Sequence, residues 1–395
     1  MEQPLKILFV INDLYTRGNG LAASARRTIA LLREHGHHVR VLSALPRDGD
    51  DCGVGMPEYV LPPLRIPLVD PLIASQGYAF ARAKRREIER ALAWADVVHL
   101  EEPFYLQAVV ARYARRRGVP VVATYHIHPE NLTASVCLDR ALPLNRAILE
   151  LWKRAIFNRS DLVQCPSRSV YERASKLCVR APLLLLSNGV PLGEEMSGGG
   201  HEVGESSVVR ILVVGRYSRE KDQATILRAL RHSAHARSIQ LTFAGRGPTE
   251  HSLRASARRL LRRGVIAHPV RFAFMSADEL AREASSCDLY VHAARIEVEG
   301  LSALEVLRHG VVPIIARGPL TATSQFALSE DSEFEAGDAR SLAGAIDVWI
   351  DRGPVGRQRE ARRYRCVGER YDIRACVARL EEAYHRLVFE GRARG

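Results

Sequence analysis

The stretch that decides the fold is residues 287–316, CDLYVHAARIEVEGLSALEVLRHGVVPIIA. It begins with an apolar run that predicts a buried strand, and a polar loop follows. The spacing of Leu301, Leu304 and Leu307 then indicates a helix, and Val311–Ala316 indicates a second strand. A strand, a helix and a second strand in this order predict an α/β fold with a parallel sheet.

Two carboxylates in this stretch, Glu297 and Glu305, predict a binding site. We expect Glu297 in the strand-to-helix loop and Glu305 about one turn inside the helix, so that both line one crevice. Between them, the backbone N–H groups of Gly300, Leu301 and Ser302 would form a helix N-terminus, which favours phosphate. Carboxylates that accept from sugar hydroxyls beside a phosphate site predict a nucleotide-sugar pocket. Two ordinary surface glutamates would give the same pattern, so the neighbouring motifs decide.

A second motif is Gly215-Arg-Tyr-Ser-Arg-Glu-Lys221, which follows the apolar run Val208–Val214. Arg216 and Lys221 are five residues apart in one loop, so both can aim at one point beyond the end of the strand. Two fixed cations there would neutralise the charge of a leaving diphosphate. A basic surface loop is the alternative.

The Glu-x7-Glu pattern ahead of an apolar helix and a GVVPII strand resembles the donor site of family 4 glycosyltransferases, retaining enzymes of the GT-B fold. The resemblance implies two doubly wound, Rossmann-like domains that face each other across a cleft. The family's phosphate-binding pair, Gly-Arg-x-x-x-x-Lys, is carried here by Arg216 and Lys221. The resemblance further implies that Glu305 binds the ribose and that Glu297 binds the sugar hydroxyls.

The length of 395 residues exceeds what one hydrophobic core usually serves. Strand and helix patterns alternate over residues 1–190, which we interpret as an acceptor-binding domain, and again over 208–373, the nucleotide-sugar domain. Residues 191–207, rich in Gly, Ser and Glu, are interpreted as a linker. In GT-B proteins the last helix crosses back to the first domain, and residues 374–395 are candidates for this.

Two glycine-rich loops are further donor-site candidates. Gly18 and Gly20 connect the first strand to the first helix, but Gly-x-Gly-x-x-Gly is incomplete, which argues against a nicotinamide-dependent oxidoreductase. The resemblance implies that these two glycines face the donor and the acceptor. Gly245 and Gly247 follow another strand and permit either close approach to a ligand or a simple turn.

The segment 124–131, TYHIHPEN, follows a predicted buried strand. Its histidines, carboxylate and amide could form a metal site, but no second cluster supplies further ligands, so we expect none. In family 4 a histidine just after this strand contacts the transferred sugar, and His126 matches it best. The candidates for the acceptor side are Glu101, Glu102, Glu130 and Asn131. The motif His-x-x-Pro-Glu-Asn at residues 126–131 and the later segment Ser324–Leu328 resemble a subgroup that includes bacterial diacylglycerol glucosyltransferases.

Charge and cysteine content bear on partners and location. The net charge is +12, with basic clusters in the first half, such as Arg82–Arg86 and Arg115–Arg117. These clusters have two interpretations. They are either solvent-exposed faces of helices or a surface that binds anionic lipid, and the second is the more specific hypothesis. No aromatic–basic motif supports binding to nucleic acid. Seven scattered cysteines fit a reducing cytosol.

Together the motifs predict a metal-independent, retaining hexosyltransferase that uses a nucleotide-sugar such as UDP-glucose or GDP-mannose and needs no cofactor. We expect a membrane glycerolipid as acceptor, and a cytoplasmic protein that associates peripherally with the plasma membrane. A soluble aglycone or saccharide acceptor and a non-catalytic nucleotide-sugar-binding protein are the alternatives. Three positions depart from the family pattern and concern the choice of donor: Asp222, Val298 and Glu299.

Overall fold

The structure is a computed structural model that describes residues 3–16, 18–45, 50–65, 79–192 and 208–394. Most of the predicted linker, residues 193–207, lies outside these ranges. The chain divides into two compact units. The N-terminal unit comprises Met1–Gly189 and Ile373–Gly395, and the C-terminal unit comprises Val190–Asp372.

The N-terminal unit contains a seven-stranded parallel sheet of the order β3-β2-β1-β6-β7-β8-β9, and β4 pairs with β5 antiparallel. Its strands are β1 (Lys6–Val10), β2 (His38–Ala44), β3 (Tyr59–Leu61), β4 (Pro63–Leu64), β5 (Phe80–Ala81), β6 (Val97–Leu100), β7 (Val121–Thr124), β8 (Leu162–Cys165) and β9 (Leu183–Leu185). Its first helices are α1 (Gly20–Glu34), α2 (Arg85–Trp94), α3 (Tyr105–Arg117), α4 (Pro129–Thr133), α5 (Leu142–Ala155) and α6 (Arg168–Lys176). Strands such as β6 and β7 are buried along their whole length, because helices cover both faces of such a sheet.

The C-terminal unit contains a six-stranded parallel sheet of the order β12-β11-β10-β13-β14-β15. Its strands are β10 (Val209–Val214), β11 (Ile239–Ala244), β12 (Arg271–Ala273), β13 (Leu289–His292), β14 (Val312–Arg317) and β15 (Glu333–Glu335). Its helices are α7 (Gln223–Ala229), α8 (Glu250–Arg262), α9 (Ala277–Ser286), α10 (Leu301–Leu307), α11 (Ala339–Asp351) and α12 (Gly353–Glu369). The order of each sheet reverses direction in its middle, as in doubly wound folds.

The last helix, α13 (Ile373–Arg394), belongs to the N-terminal unit. Ile373, Val377 and Tyr384 share one buried apolar cluster with Phe9 of β1 and Ile29 of α1. The chain therefore leaves the N-terminal unit after β9 and returns to it after α12. No helix among the described residues combines the length and the apolar character that a membrane span requires.

Candidate functional site

Glu297 lies in the loop after β13, and its backbone fixes its position. Its N–H donates to the carbonyl of Leu320 at 2.7 Å, and its carbonyl accepts from the N–H of Ala322 at 3.1 Å. Both partners lie in the loop after β14, the neighbouring strand of the sheet. Two adjacent strand ends therefore hold this carboxylate, at the edge where α/β sheets bind ligands.

The Glu297 carboxylate accepts from the Lys221 ammonium and from Nε2 of His292, the latter at 3.1 Å. Its side chain is only 13% exposed, and that of Lys221 is 22% exposed. Burial alone would raise the pKa of Glu297, but Lys221 and His292 outweigh this effect and hold the pKa well below its usual range. Glu297 is therefore ionised and ready to accept further hydrogen bonds.

Two residues that the sequence analysis did not single out, Tyr290 and His292, connect the carboxylates. They are two apart on β13, so their side chains share one face of the sheet, and the Tyr290 hydroxyl lies 2.8 Å from Nδ1 of His292. Burial raises the pKa of Tyr290, and the charges of Glu297 and Glu305 raise it further. The same hydroxyl interacts with the Ser302 side chain. Tyr290 therefore lies near Ser302 and near both predicted carboxylates, Glu297 and Glu305.

Gly300 begins helix α10 in a conformation that only glycine adopts easily. Its φ is +90°, and a Cβ here would lie 2.0 Å from the Thr323 Cγ2 methyl. Glu305 is the fifth residue of this seven-residue helix, and Leu301 and Ser302 are its first two. A side chain at position 300 would therefore collide with Thr323, so the start of this helix requires glycine.

The glycines of the two other loops of this unit pack backbone against backbone. A Cβ on Gly245 would lie 2.1 Å from the Gly215 carbonyl oxygen, and one on Gly247 would lie 2.3 Å from the Tyr217 carbonyl oxygen. Gly215 has a φ of +144° and ends β10. Close packing of the loops explains Gly245 and Gly247, so their role as donor contacts remains a prediction.

The loop of Arg216 and Lys221 is held by its acidic residues. Arg216 Nη2 donates to Glu220 at 2.7 Å, and Arg295 lies 3.5 Å from Asp222. Asp222 has a φ of +46°, which is the left-handed region. Glycine adopts this conformation most easily, and asparagine and aspartate also tolerate it because their short polar side chains can hydrogen-bond locally. Lys221 points to Glu297, whereas Arg216 points to Glu220.

In the N-terminal unit, Glu101 follows β6 and lies between two histidines. Nε2 of His126 donates to Glu101 Oε2 at 2.7 Å, and Nε2 of His99 lies 3.6 Å from Oε1. Burial would raise the pKa of Glu101, but His99 and His126 together lower it below its usual range. The structure thus brings together two of the predicted residues, Glu101 and His126.

The other acceptor-side candidates are engaged in local structure. Glu102 is 1% exposed, and its Oε2 accepts from Asn12 at 2.7 Å and from Gln107 at 2.5 Å. Glu130 Oε1 accepts from Arg173 at 2.8 Å. The Asn131 side chain caps α4 by accepting from the N–H of His128. These contacts favour structural roles for Glu102 and Asn131.

The loop of Gly18 and Gly20 leads into α1. Gly18 has a φ of +78°, and Gly20 is the first residue of the helix, which Asn19 caps by accepting from Leu21 at 3.1 Å. A Cβ on Gly20 would meet no atom within 4 Å. Open space at Gly20 is compatible with a ligand near the loop, and the donor role of both glycines remains a prediction. In the described part of the chain, no three His, Cys, Asp or Glu side chains are grouped to hold a metal ion.

Comparison with known proteins places both halves of the chain. Residues 18–194 match the family model described as Glycosyltransferase Family 4, and residues 205–365 match Glycosyl transferases group 1. Among curated proteins, no sequence matches significantly.

Solved structures of GT-B enzymes match nearly the whole chain. Sucrose-phosphate synthase from Thermosynechococcus elongatus is 17% identical at a TM-score of 0.72, and the match covers 97% of this chain and 99% of that chain. HepE from Anabaena in complex with UDP-glucose is 16% identical at a TM-score of 0.70, covering 97% and 100%. The catalytic domain of cholesterol-alpha-glucosyltransferase from Helicobacter pylori is 37% identical over 41% of this chain and 99% of that chain, but its TM-score of 0.36 supports no inference. The predicted GT-B fold is confirmed, and the two family models together support a glycosyltransferase of the family 4 type.

Proposed function

We propose that the protein transfers a hexose from a nucleotide-diphosphate sugar to an acceptor hydroxyl, with retention of the anomeric configuration. The observation that carries this proposal is the pairing of Glu297 with Lys221 at the carboxyl end of the C-terminal sheet. A fixed, ionised carboxylate accepts from sugar hydroxyls, and an ammonium beside it neutralises a diphosphate. HepE, which shares the fold, was solved with UDP-glucose, which favours a UDP-sugar as donor.

Four of the predicted donor-site residues then have these roles. Glu297 binds the sugar hydroxyls, Glu305 binds the ribose, and Arg216 and Lys221 bind the diphosphate. When the donor binds, Lys221 contacts its diphosphate and Glu297 contacts its sugar, and each gives up part of its contact with the other. The two side chains already lie beside each other before the donor binds. Donor binding therefore needs little rearrangement of either side chain.

Retention follows from attack on the same face of the sugar that the diphosphate leaves. The bond from the anomeric carbon to the phosphate oxygen breaks, and a bond to the acceptor oxygen forms. The acceptor proton passes to the departing diphosphate, whose charge Arg216 and Lys221 stabilise. In the N-terminal unit, His126 contacts the transferred sugar and Glu101 holds the acceptor hydroxyl.

We further propose that the acceptor is a glycerolipid at an anionic membrane surface. Support comes from α5, where Leu142, Leu144 and Leu151 are 72%, 41% and 63% exposed. Arg146 and Arg154 on the same helix are also exposed. Exposed leucines among exposed arginines suit an interfacial helix, because apolar side chains enter the acyl boundary while cations meet anionic headgroups.

The donor proposal is tested by turnover with UDP-, GDP- and TDP-sugars, measured as release of the nucleotide. Arg216→Ala and Lys221→Ala should each lower kcat/KM by about 100-fold or more, as loss of a charge-stabilising group does. Arg258→Ala, an exposed arginine of α8, is the control and should retain wild-type rates. Near-wild-type rates for both site variants would refute the assignment.

The lipid proposal is tested by sedimentation with anionic and with zwitterionic vesicles. Leu144→Glu with Leu151→Glu should abolish binding to anionic vesicles and slow transfer to diacylglycerol in them. Val355→Glu removes an apolar side chain of the C-terminal unit that is more exposed (70%) than Leu144 or Leu151, and this variant should bind like the wild type. Equal binding by both variants, or faster transfer to a soluble saccharide than to lipid, would contradict the proposal.

A further inference from the structure

A buried polar network connects the C-terminal helix α13 to the pair Glu101–His126. Tyr384 of α13 is fully buried, and its hydroxyl lies 2.5 Å from Nδ1 of His99. Nε2 of His99 lies 2.8 Å from the Thr124 hydroxyl and 3.6 Å from Glu101. The His99 ring also stacks on Phe9, with the ring centroids 4.8 Å apart. His99 is therefore held on its face and at both nitrogens.

The donors and acceptors of this network can be assigned by elimination. Gln164 Nε2 donates to the carbonyl of Leu186 at 3.0 Å, so its Oε1 faces the Thr124 hydroxyl at 3.1 Å. An amide oxygen only accepts, so the single hydroxyl proton of Thr124 goes to Gln164. The Thr124 oxygen must then accept from His99, which places a proton on Nε2 of His99.

The protonation of the second nitrogen of His99, Nδ1, follows from the charge of the ring. Burial lowers the pKa of His99 to about 4, so the ring is neutral near pH 7 and carries one proton. That proton is on Nε2, so Nδ1 accepts. Burial also raises the pKa of Tyr384 well above its ordinary value, so its hydroxyl keeps its proton and donates to Nδ1.

We propose that Tyr384 is a positioning residue for the site, because its hydroxyl donates to Nδ1 of His99 and, together with Thr124 at Nε2, holds His99 as the Nε2–H tautomer. In this tautomer the Nε2–H group donates to Thr124, and its nitrogen carries a proton 3.6 Å from Glu101 Oε1. The other tautomer would turn a lone pair toward the carboxylate, which is repulsive in a site where Glu101 is only 3% exposed. The last helix of the chain thereby holds the His99 ring that lies beside Glu101, the carboxylate that accepts from His126.

The consequence concerns the second nitrogen of His126. Because Glu101 accepts from Nε2 at 2.7 Å, that nitrogen carries a proton and the ring is held in one orientation. Nδ1 of His126 is then the nitrogen that meets the transferred sugar, a step that rests on the proposed function. The orientation of His126 thus depends on a tyrosine that lies far away in the sequence, on the last helix.

The tautomer is tested without substrate by NMR of the full chain labelled with ¹⁵N in its histidine rings. Variants of each histidine assign the signals. In the wild type, His99 should show a proton on Nε2 and an unprotonated Nδ1. In Tyr384→Phe, the His99 signals should shift toward a mixture of tautomers, and the His126 signals should move with them. A proton on Nδ1 of His99 in the wild type would overturn the proposal, as would His126 signals that do not change in Tyr384→Phe.

The effect on turnover is tested by two comparisons. Tyr384→Phe should lower kcat about tenfold with little change in KM for the donor, in line with the loss of one buried hydrogen bond. Tyr59→Phe removes another buried hydroxyl of the same unit, one that accepts from Arg40 at 3.0 Å, and should keep the wild-type kcat.

His99→Gln retains a side-chain N–H donor near Nε2, whereas His99→Phe retains only the stacking on Phe9. His99→Gln should therefore be the more active variant. Equal loss in both, or an equal kcat for the two tyrosine variants, would overturn the proposal. A wild-type protein that releases nucleotide from no donor would refute the proposed function, while the NMR result would still stand.

Discussion

Lys221 and Glu297 form an ion pair inside the C-terminal unit, although the sequence predicts that they bind different parts of one ligand. The pair is not symmetrical. Glu297 is tied to the neighbouring loop by two backbone hydrogen bonds and to His292 by a third contact. The Lys221 ammonium is carried by a flexible side chain, and Lys221 is the more exposed partner. Loss of Lys221 therefore leaves the Glu297 carboxylate buried, because its backbone holds it in place. Loss of Glu297 leaves the Lys221 ammonium, which can turn toward water.

This asymmetry predicts unequal effects of the two isosteric variants on stability. Lys221→Met should lower the free energy of unfolding by roughly 2–4 kcal/mol, because it leaves a mostly buried carboxylate with a single partner, His292. Glu297→Gln should cost about 1 kcal/mol, and the double variant should be more stable than Lys221→Met alone. Urea unfolding of the four proteins measures the cycle. Additive losses would show that the two side chains do not interact in solution.

Gly300 offers a steric test of the site. Gly300→Ala should destabilise the protein by about 2–4 kcal/mol, because the new methyl group overlaps Thr323 Cγ2 and the positive φ disfavours any side chain. Adding Thr323→Ser removes the Cγ2 methyl group that overlaps the new alanine side chain. This second substitution should restore part of the lost stability. Thermal unfolding and donor affinity are the measurements.

The control for this variant is Gly344→Ala. Gly344 lies within helix α11, and a methyl group added to its Cα would meet no atom within 4 Å. The substitution should therefore stabilise the protein by about 0.5–1 kcal/mol, because alanine favours the helix more than glycine does. A Gly300→Ala variant as stable as the wild type would mean that α10 starts elsewhere in solution.

The sequence indicates the interior strands of both sheets, but it misses two of the four edge strands among the described residues. Leu162–Cys165 and Ile239–Ala244 can be recognised in the sequence because each is a short, mostly apolar run, and each pairs with a strand on both sides. The edge strands Tyr59–Leu61 and Glu333–Glu335 were not predicted. Each has three residues and one neighbouring strand, so its conformation depends on pairing with that neighbour more than on its own pattern.

The same division applies to the candidate site. Glu297 and Lys221 could be selected because each follows a predicted strand and because their spacing from Glu305 and Arg216 matches the family pattern. Tyr290 and His292 lie within an apolar strand and resemble core residues in the sequence, although their spacing of two was a usable signal. No local pattern connects Tyr384 with His99, since that contact depends on the return of α13 to the first unit. Long-range polar contacts of this kind need the fold before they can be recognised.

His99 also predicts how stability depends on pH. Its pKa is about 4 in the folded protein and about 6.5 when unfolded, so the unfolded chain binds the extra proton first. Stability from this residue is therefore complete above about pH 7 and decreases as the pH falls from about 6.5 toward 4. Between about pH 7.5 and about pH 5 the loss should be about 2 kcal/mol, before the carboxylates with lowered pKa begin to contribute.

The measurement must report the N-terminal unit alone, because two units need not unfold together. Hydrogen-exchange protection of strand β6, which contains His99, serves this purpose. In His99→Gln this part of the pH dependence should vanish, so that the protection of β6 falls less between the same two pH values than in the wild type. His309, whose pKa burial also lowers to about 4, lies in the C-terminal unit and remains as an internal reference. The contrary result would be a β6 that loses as much protection in His99→Gln as in the wild type. His99 would then not be neutral and doubly hydrogen-bonded in solution, because a histidine that is already protonated in the folded protein adds no such dependence on pH.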